Sequence, residues 1–271
     1  MYPGAINALL RRAFKLLLQI PGDRLIVPIQ RGPARGLRWI VNSQDHSCWL
    51  GTYEAAKQEA LARYIAPGMT VYDLGANAGF YTLMFSRLLG PQGQVFAFEP
   101  GALPLPHLLR HLAVNRVTNV RVIQAAVSDR AGLRGFTIDL GTCMNQLEAA
   151  GTANLIVPVL SLDEAELPPP DLIKIDVEGA ESAVLRGATG ILREHAPTLF
   201  IALHSDAQRH ECWRLLRAAG YQTYALDHTP LRDFAGCDEI YALHGRRFPA
   251  ALTNGHAPQA RRPAPTDKAP A

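Results

Sequence analysis

Between Thr70 and Leu243 the chain keeps changing its period, with short apolar runs giving way to longer stretches of helical spacing and then returning. The runs Val71–Leu74, Val95–Phe98, Val120–Val127, Leu172–Val177 and Thr198–Leu203 predict strands. Helical spacing fills the intervals over Gly79–Leu89, on to Asn115, on to Glu194 and over Ala207–Ala219. Two strands that run parallel need a crossover between them, most often a helix. The alternation therefore predicts an α/β domain with a doubly wound, mostly parallel sheet covered on both faces. Two further strands, Tyr221–Leu226 and Glu239–Leu243, are separated by a segment without helical period and are expected to pair as an antiparallel hairpin at one edge. An irregular stretch carries Gly135–Leu140 and Leu155–Leu160 as additional short strands.

The flanks differ in character. Residues 5–19 set Ile6, Leu9, Leu10, Ala13, Phe14, Leu17 and Leu18 at helical spacing with Arg11, Arg12 and Lys15 opposite, and Pro21-Gly22 ends the run. Such a helix can pack on the domain or make a weak contact with an anionic membrane surface. Leu25–Ile29 and Leu37–Val41 flank the turn signal of residues 31–36 and predict a small β cap, followed by a helix over Thr52–Ala66. The segment after Phe248 is rich in Ala and Pro, has no apolar period and is expected to be disordered. The expected organisation is an N-terminal helix and cap over residues 1–50, a domain over 51–247 and a tail over 248–271.

Charge narrows the range of partners. The net charge is +3, but residues 1–38 carry seven Lys and Arg against one Asp, and residues 246–271 carry five against one, which leaves the body acidic. An acidic body lacks the basic stripe that a phosphate backbone needs, so nucleic acid is not expected as a partner. Cys48, Cys143, Cys212 and Cys237 form no C-x-x-C pair and suggest neither a zinc ribbon nor a disulfide framework. No apolar run reaches the ~20 residues of a bilayer crossing. With no cleavable signal pattern at the start, a cytoplasmic protein is expected.

The first strand-to-helix turn reads Val71-Tyr72-Asp73-Leu74-Gly75-Ala76-Asn77-Ala78-Gly79-Phe80. In a doubly wound sheet the ligand lies outside the carboxyl ends of the strands, so this turn is the candidate cofactor loop. A dinucleotide site asks for G-x-G-x-x-G, and counted from Gly75 the later positions hold Asn77 and Phe80. A carboxylate at Asp73 facing the loop would also repel a pyrophosphate and suit a cation. A sulfonium and ammonium ligand on a nucleoside without phosphates, S-adenosyl-L-methionine (SAM), fits that electrostatics. The second strand ends at Phe98-Glu99-Pro100, where Glu99 can accept from the ribose hydroxyls.

At this point the sequence resembles the FkbM-type family of SAM-dependent methyltransferases. The matching pieces are Tyr53-Glu54, Pro67-Gly68, the loop from Asp73 to Tyr81, Phe98-Glu99-Pro100, the run Ala125 to Asp129, and Ile173-Lys174-Ile175-Asp176-Val177-Glu178-Gly179-Ala180-Glu181. The last run is what selects the family. The resemblance implies a Rossmann-like class I methyltransferase fold and transfer of a methyl group to an oxygen of a small molecule, sugar or glycan. It assigns Asp73, Gly75, Asn77, Gly79, Glu99, Ala126 and Asp176 to the donor and Glu54 to the acceptor entrance. The chain departs at Ala202, two positions before His204, where family members often carry an acid.

Methylation of an alcohol requires a proton acceptor near the reacting oxygen. The candidates at the strand ends are His204, Asp176 and Glu178. His204 is the preferred base because its ordinary pKa of ~6.5 leaves it mostly neutral at pH 7. Asp176 would orient the acceptor or the donor amine. Glu178 either joins the chemistry or makes a turn and pairs with Lys174. No metal centre is assigned: His107 and His111 lack the glutamate of H-E-x-x-H and a third ligand, while Asp176 and Glu178 are carboxylates of the kind Mg²⁺ takes. The acceptor pocket is expected from residues 23–50 and 130–160, with Trp49, Asn145 and Gln146 as polar or stacking candidates. Two other functions compete, an NAD(P) oxidoreductase and a methyltransferase fold that binds without catalysis.

Overall fold

The computed structural model describes residues 25–138, 145–148 and 153–247, so the helix predicted over 5–19 and the tail from Phe248 lie outside the described residues. The elements in order are β1 (Ile26–Pro28), β2 (Arg38–Ile40), α1 (His46–Leu50), α2 (Ala55–Tyr64), β3 (Thr70–Leu74), α3 (Phe80–Leu89), β4 (Gln94–Phe98), α4 (Pro104–Val114), β5 (Val120–Ile123), β6 (Ala126–Val127) and β7 (Gly132–Ile138). They continue with β8 (Asn145–Glu148), β9 (Leu155–Leu160), β10 (Leu172–Ile175), α5 (Glu181–Arg186), α6 (Thr189–Glu194), β11 (Thr198–Ala202), α7 (Asp206–Ala218), β12 (Tyr221–Ala225) and β13 (Glu239–His244).

The main sheet has seven strands in the order β12-β13-β11-β10-β3-β4-β5. β10, β3, β4, β5 and β11 pair in parallel, while β13 runs antiparallel to β11 and β12. The expected antiparallel edge pair is therefore present, with β13 inside and β12 on the rim. Every residue of β10 and β11 is buried, as strands covered on both faces must be. Successive residues feed opposite layers: Val71 joins Leu83, Phe85 and Tyr64 on one face, and Tyr72 joins Ile173, Val184 and Leu216 on the other. The strand order turns back between β3 and β10, and a doubly wound sheet opens a crevice at such a reversal.

Two expectations fail in an instructive way. The predicted strand Val120–Val127 is two strands: β5 ends the main sheet, and β6 enters a separate four-stranded sheet ordered β6-β9-β7-β8. Apolar period alone cannot register a change of partner. The helix predicted to run to Glu194 breaks at Gly187, where the chain passes so close to the Ser128 carbonyl oxygen that a Cβ would sit 2.1 Å from it. Asp163 then caps the second piece, accepting from the Gly190 and Ile191 N–H groups at 2.7 and 2.9 Å.

The cap is locked to the domain through a histidine. Trp39 is fully buried and stacks on His111 with centroids 3.8 Å apart. His111 Nδ1 lies 2.7 Å from the Ala78 carbonyl oxygen, and its Nε2 accepts the Ile40 N–H at 3.0 Å. Burial pushes its pKa down to about 4, so the ring is a neutral bracket. Among the described residues no helix is long and apolar enough to cross a membrane.

Candidate active site

The loop after β3 is shaped by close backbone approach. Gly75 and Gly79 have φ of 75° and 93°, and a Cβ on Gly75 would lie 1.8 Å from the Asp176 carbonyl oxygen. Only glycine fits where the β3 loop passes the exit of β10. Gly75 and Ala76 donate their N–H groups to the Phe98 carbonyl, which ties the loop to the end of β4. Glu99 follows, and its two oxygens accept the Asn77 and Gly101 N–H groups, each at 2.7 Å. Burial outweighs those bonds and pushes the Glu99 pKa up to about 7.

A cleft of about 200 Å³ opens there. Gly75, Ala76, Asn77, Glu99 and Pro100 line one end. Beside it a small slot is lined by Pro100, Ala125, Ala126, Val127 and Val177. Gly75, Asn77, Glu99 and Ala126 thus meet at one end, as their assignment to a single ligand requires. Gly79 sits behind them as the N-cap of α3, packed on Leu108.

Asp73 is fully buried and does not line the cleft. The β3–β10 register sets Asp73 directly beside Lys174, whose Nζ lies 3.1 Å from its carboxylate, and Thr82 donates to its other oxygen at 2.6 Å. The carboxylate meets a lysine of the neighbouring strand. Burial opposes the charge of Lys174, but Asp73 and Asp176 outweigh it, so the lysine is held more firmly protonated than usual.

The other end of the cleft is lined by Glu54, Tyr81, Lys174, Asp176, Glu178, His204 and Glu239, with Gln44, Tyr53, Phe136 and Ala202 around them. The expectation that the cap and the stretch 130–160 border the pocket thus holds through Gln44 and Phe136. Trp49 packs against the core and donates to His46 Nδ1 at 3.2 Å, away from the lining. The side chains of Asn145 and Gln146 lie outside the described residues.

Lys57 and Glu239 were not legible as site residues. Lys57 Nζ, only 1% exposed, lies 2.6 Å from Glu239, 3.2 Å from Glu54 and 3.5 Å from Asp176. Nothing in a lone lysine on a helix announces this role. Burial pushes the Glu239 pKa up to about 7 despite Lys57. Burial works against the Asp176 charge as well, yet Lys174, Lys57 and His204 together hold that carboxyl well below its ordinary range. Glu54 has a left-handed φ of 44°, and its carboxylate accepts the Tyr81 hydroxyl at 2.7 Å.

His204 Nδ1 lies 2.7 Å from Glu181, while its Nε2 lies 3.3 Å from Glu178 and 3.6 Å from Asp176. Glu178 therefore pairs with His204 and not with Lys174. The Glu181 hydrogen bond, and then the Glu178 and Asp176 charges, push the His204 pKa up to about 9 against the cost of burial. At pH 7 the free protein thus carries an imidazolium, contrary to the expectation of a neutral ring. Asp176, Glu178 and His204 each bring a donor atom within 4.8 Å of the others, the spacing of groups that can share one cation. One end of the cleft can accept from a neutral nucleoside, and the other can hold positive charge and move a proton.

Comparisons with known proteins found methyltransferases. A family profile described as the methyltransferase FkbM domain matches residues 73–223. The 31-O-demethyl-FK506 methyltransferase FkbM of Streptomyces tacrolimicus is 30% identical over 220 residues, which cover 68% of this chain and 82% of that protein. The hexuronic acid methyltransferase AglP of Haloferax volcanii is 27% identical over 163 residues, covering 56% of this chain and 63% of that protein. A crystal structure of methyltransferase FkbM from Methylobacillus flagellatus KT aligns with a TM-score of 0.47 and 20% identity, over 65% of this chain and 44% of that one.

Proposed function

The chain belongs to the FkbM methyltransferase family, and from that premise we propose that it takes SAM as donor and methylates a hydroxyl group of a sugar, glycan or secondary metabolite. Two relatives are named for their acceptors, 31-O-demethyl-FK506 and a hexuronic acid. The observation that carries the donor assignment is Glu99, a carboxylate fixed by two backbone N–H groups and facing the cleft beside the slot at Ala125 and Ala126. A carboxylate in that place accepts from ribose hydroxyls. The slot is lined mostly by Ala, Val and Pro.

SAM supplies an electrophilic methyl group on a sulfonium. The protein's part is to place the acceptor oxygen in line and to remove its proton. Asp176, with Lys57 and Lys174 on one oxygen, turns the other toward His204 and the cleft. His204 is the base. Its ring is charged in the free protein, and a cationic donor beside Asp176 works against that second charge, lowering the pKa toward the range where Nε2 can accept. Glu54, Tyr81 and Glu239 line the remaining wall and fit an acceptor rich in hydroxyls.

Calorimetry with SAM and then with NADH tests the donor. Micromolar binding of SAM without NADH binding is expected, and the reverse would overturn the reading. Labelled-methyl transfer to a panel of hydroxylated sugars and macrolides tests the acceptor, and label found only on nitrogen or sulfur would overturn O-methylation.

A further inference from the structure

Behind His204 lies an acid that the reaction drawn above leaves idle. Glu181 opens α5 and is fully buried. One carboxylate oxygen accepts the Gly179 N–H at 2.8 Å and lies 2.7 Å from His204 Nδ1. Its other oxygen has no hydrogen-bond partner among the described residues.

We propose that Glu181 is a positioning residue for methyl transfer: it holds the His204 ring with a proton on Nδ1 and Nε2 turned to the cleft, where the acceptor hydroxyl arrives. This rests on the O-methyltransferase reading above. The argument is one of donors and acceptors. An ionised carboxylate accepts and cannot donate, so the nitrogen facing Glu181 must be the one that keeps its hydrogen. A neutral imidazole carries a single N–H, and fixing it on Nδ1 leaves the lone pair on Nε2. The Gly179 N–H in turn fixes the carboxylate, so the chain of orientation runs from backbone to acid to ring.

Burial gives the contact its weight. A carboxylate without solvent and with one bare oxygen is costly unless a positive group answers it, and among the contacts of Glu181 the His204 ring is that group. In the transfer the acceptor O–H bond breaks and its proton goes to Nε2. The oxygen takes the methyl group, and the electron pair of the broken S–CH₃ bond stays on sulfur as a thioether. The ring then holds both protons, and Glu181 balances the charge that it gains. An acid, a ring and a reacting hydroxyl in this order follow the same logic as a buried aspartate holding a catalytic histidine in its working tautomer.

The experiment compares Glu181→Gln, Glu181→Asp and the parent. Glu181→Gln keeps the volume, and its kcat should fall about 10²-fold, with KM for donor and acceptor within about twofold of the parent. Glu181→Asp, which keeps the charge, should recover part of that loss. In ¹⁵N-labelled parent protein His204 should show a downfield, slowly exchanging Nδ1 proton, assigned by its disappearance in His204→Gln and weakened in Glu181→Gln. Parent-like kcat in Glu181→Gln would overturn the proposal, and so would a loss that tracks donor affinity or folded fraction and is not recovered by Asp. The ring measurement needs no turnover. A parent protein that transfers no methyl group therefore overturns the reaction, whereas a parent ring without the Nδ1 proton overturns the assignment whatever the protein transfers.

Discussion

The two ends of the cleft are held by opposite means. At the donor end the main chain does most of the shaping: Gly75 passes against the Asp176 carbonyl, two amides grip Phe98, and two more grip Glu99. At the acceptor end charged side chains from separate stretches balance one another, with Glu54 and Lys57 from the start of α2, Lys174, Asp176 and Glu178 from β10 and its exit, His204 from the end of β11 and Glu239 from β13. A backbone device is local and leaves a motif. A charge balance is assembled across the fold and leaves none.

The largest effect that would test this contrast comes from Lys174, the one side chain that serves both ends, since it pairs with Asp73 and Asp176 and donates to the Gly75 carbonyl. Lys174→Met should cost about 3–5 kcal/mol in denaturant unfolding, because it leaves the buried Asp73 unanswered. Parent-like stability would mean that the ends are independent after all. Next comes His204→Gln, expected to lower turnover about 10²-fold, or about 2.7 kcal/mol, with SAM affinity within about twofold. Its counterpart is the pH profile of the parent. The base works deprotonated and its pKa is raised to about 9, so kcat/KM should climb as pH rises toward 9, and the limb in kcat should lie lower once the cationic donor is bound.

Glu99→Gln should act on the opposite end, weakening SAM binding about tenfold, or about 1.4 kcal/mol, with little change in kcat at saturation. In the parent, the same binding should weaken as pH falls below about 7, where Glu99 takes up a proton. Titration calorimetry across pH 6 to 8 reads it. The smallest effect belongs to Gly179→Ala. Gly179 has φ 99° but open space around its missing Cβ, so the change should cost only the local strain, about 1 kcal/mol in thermal unfolding. At Gly75, where the Cβ would overlap backbone, no such mild outcome is expected.

The same contrast explains what could be read from the sequence. Strands such as Val95–Phe98 and Leu172–Ile175 announce themselves by apolar runs, and Gly75, Asn77 and Glu99 by their order around a strand end. The placement of Asp73 at the strand end was visible, whereas its neighbour across the sheet was not. Lys174 reaches it only through the β3–β10 register. His204 was found, but its protonation was not, because Glu181, Glu178 and Asp176 shift a pKa by proximity that spacing does not encode. Lys57 and Glu239 could not be found at all before β13 was seen to lie between β11 and β12.

That insertion also bears on synthesis. Among the described strands β13 is translated last, yet it occupies an inner place in the sheet and brings Glu239 to Lys57. A nascent chain emerging from the ribosome has its glycine loop and Glu99 early, but until residue 244 is out β12 has no strand to lie against and Lys57 lacks its nearest counter-charge. A copy that stopped short of β13 would therefore lack both the partner strand of β12 and the carboxylate nearest Lys57.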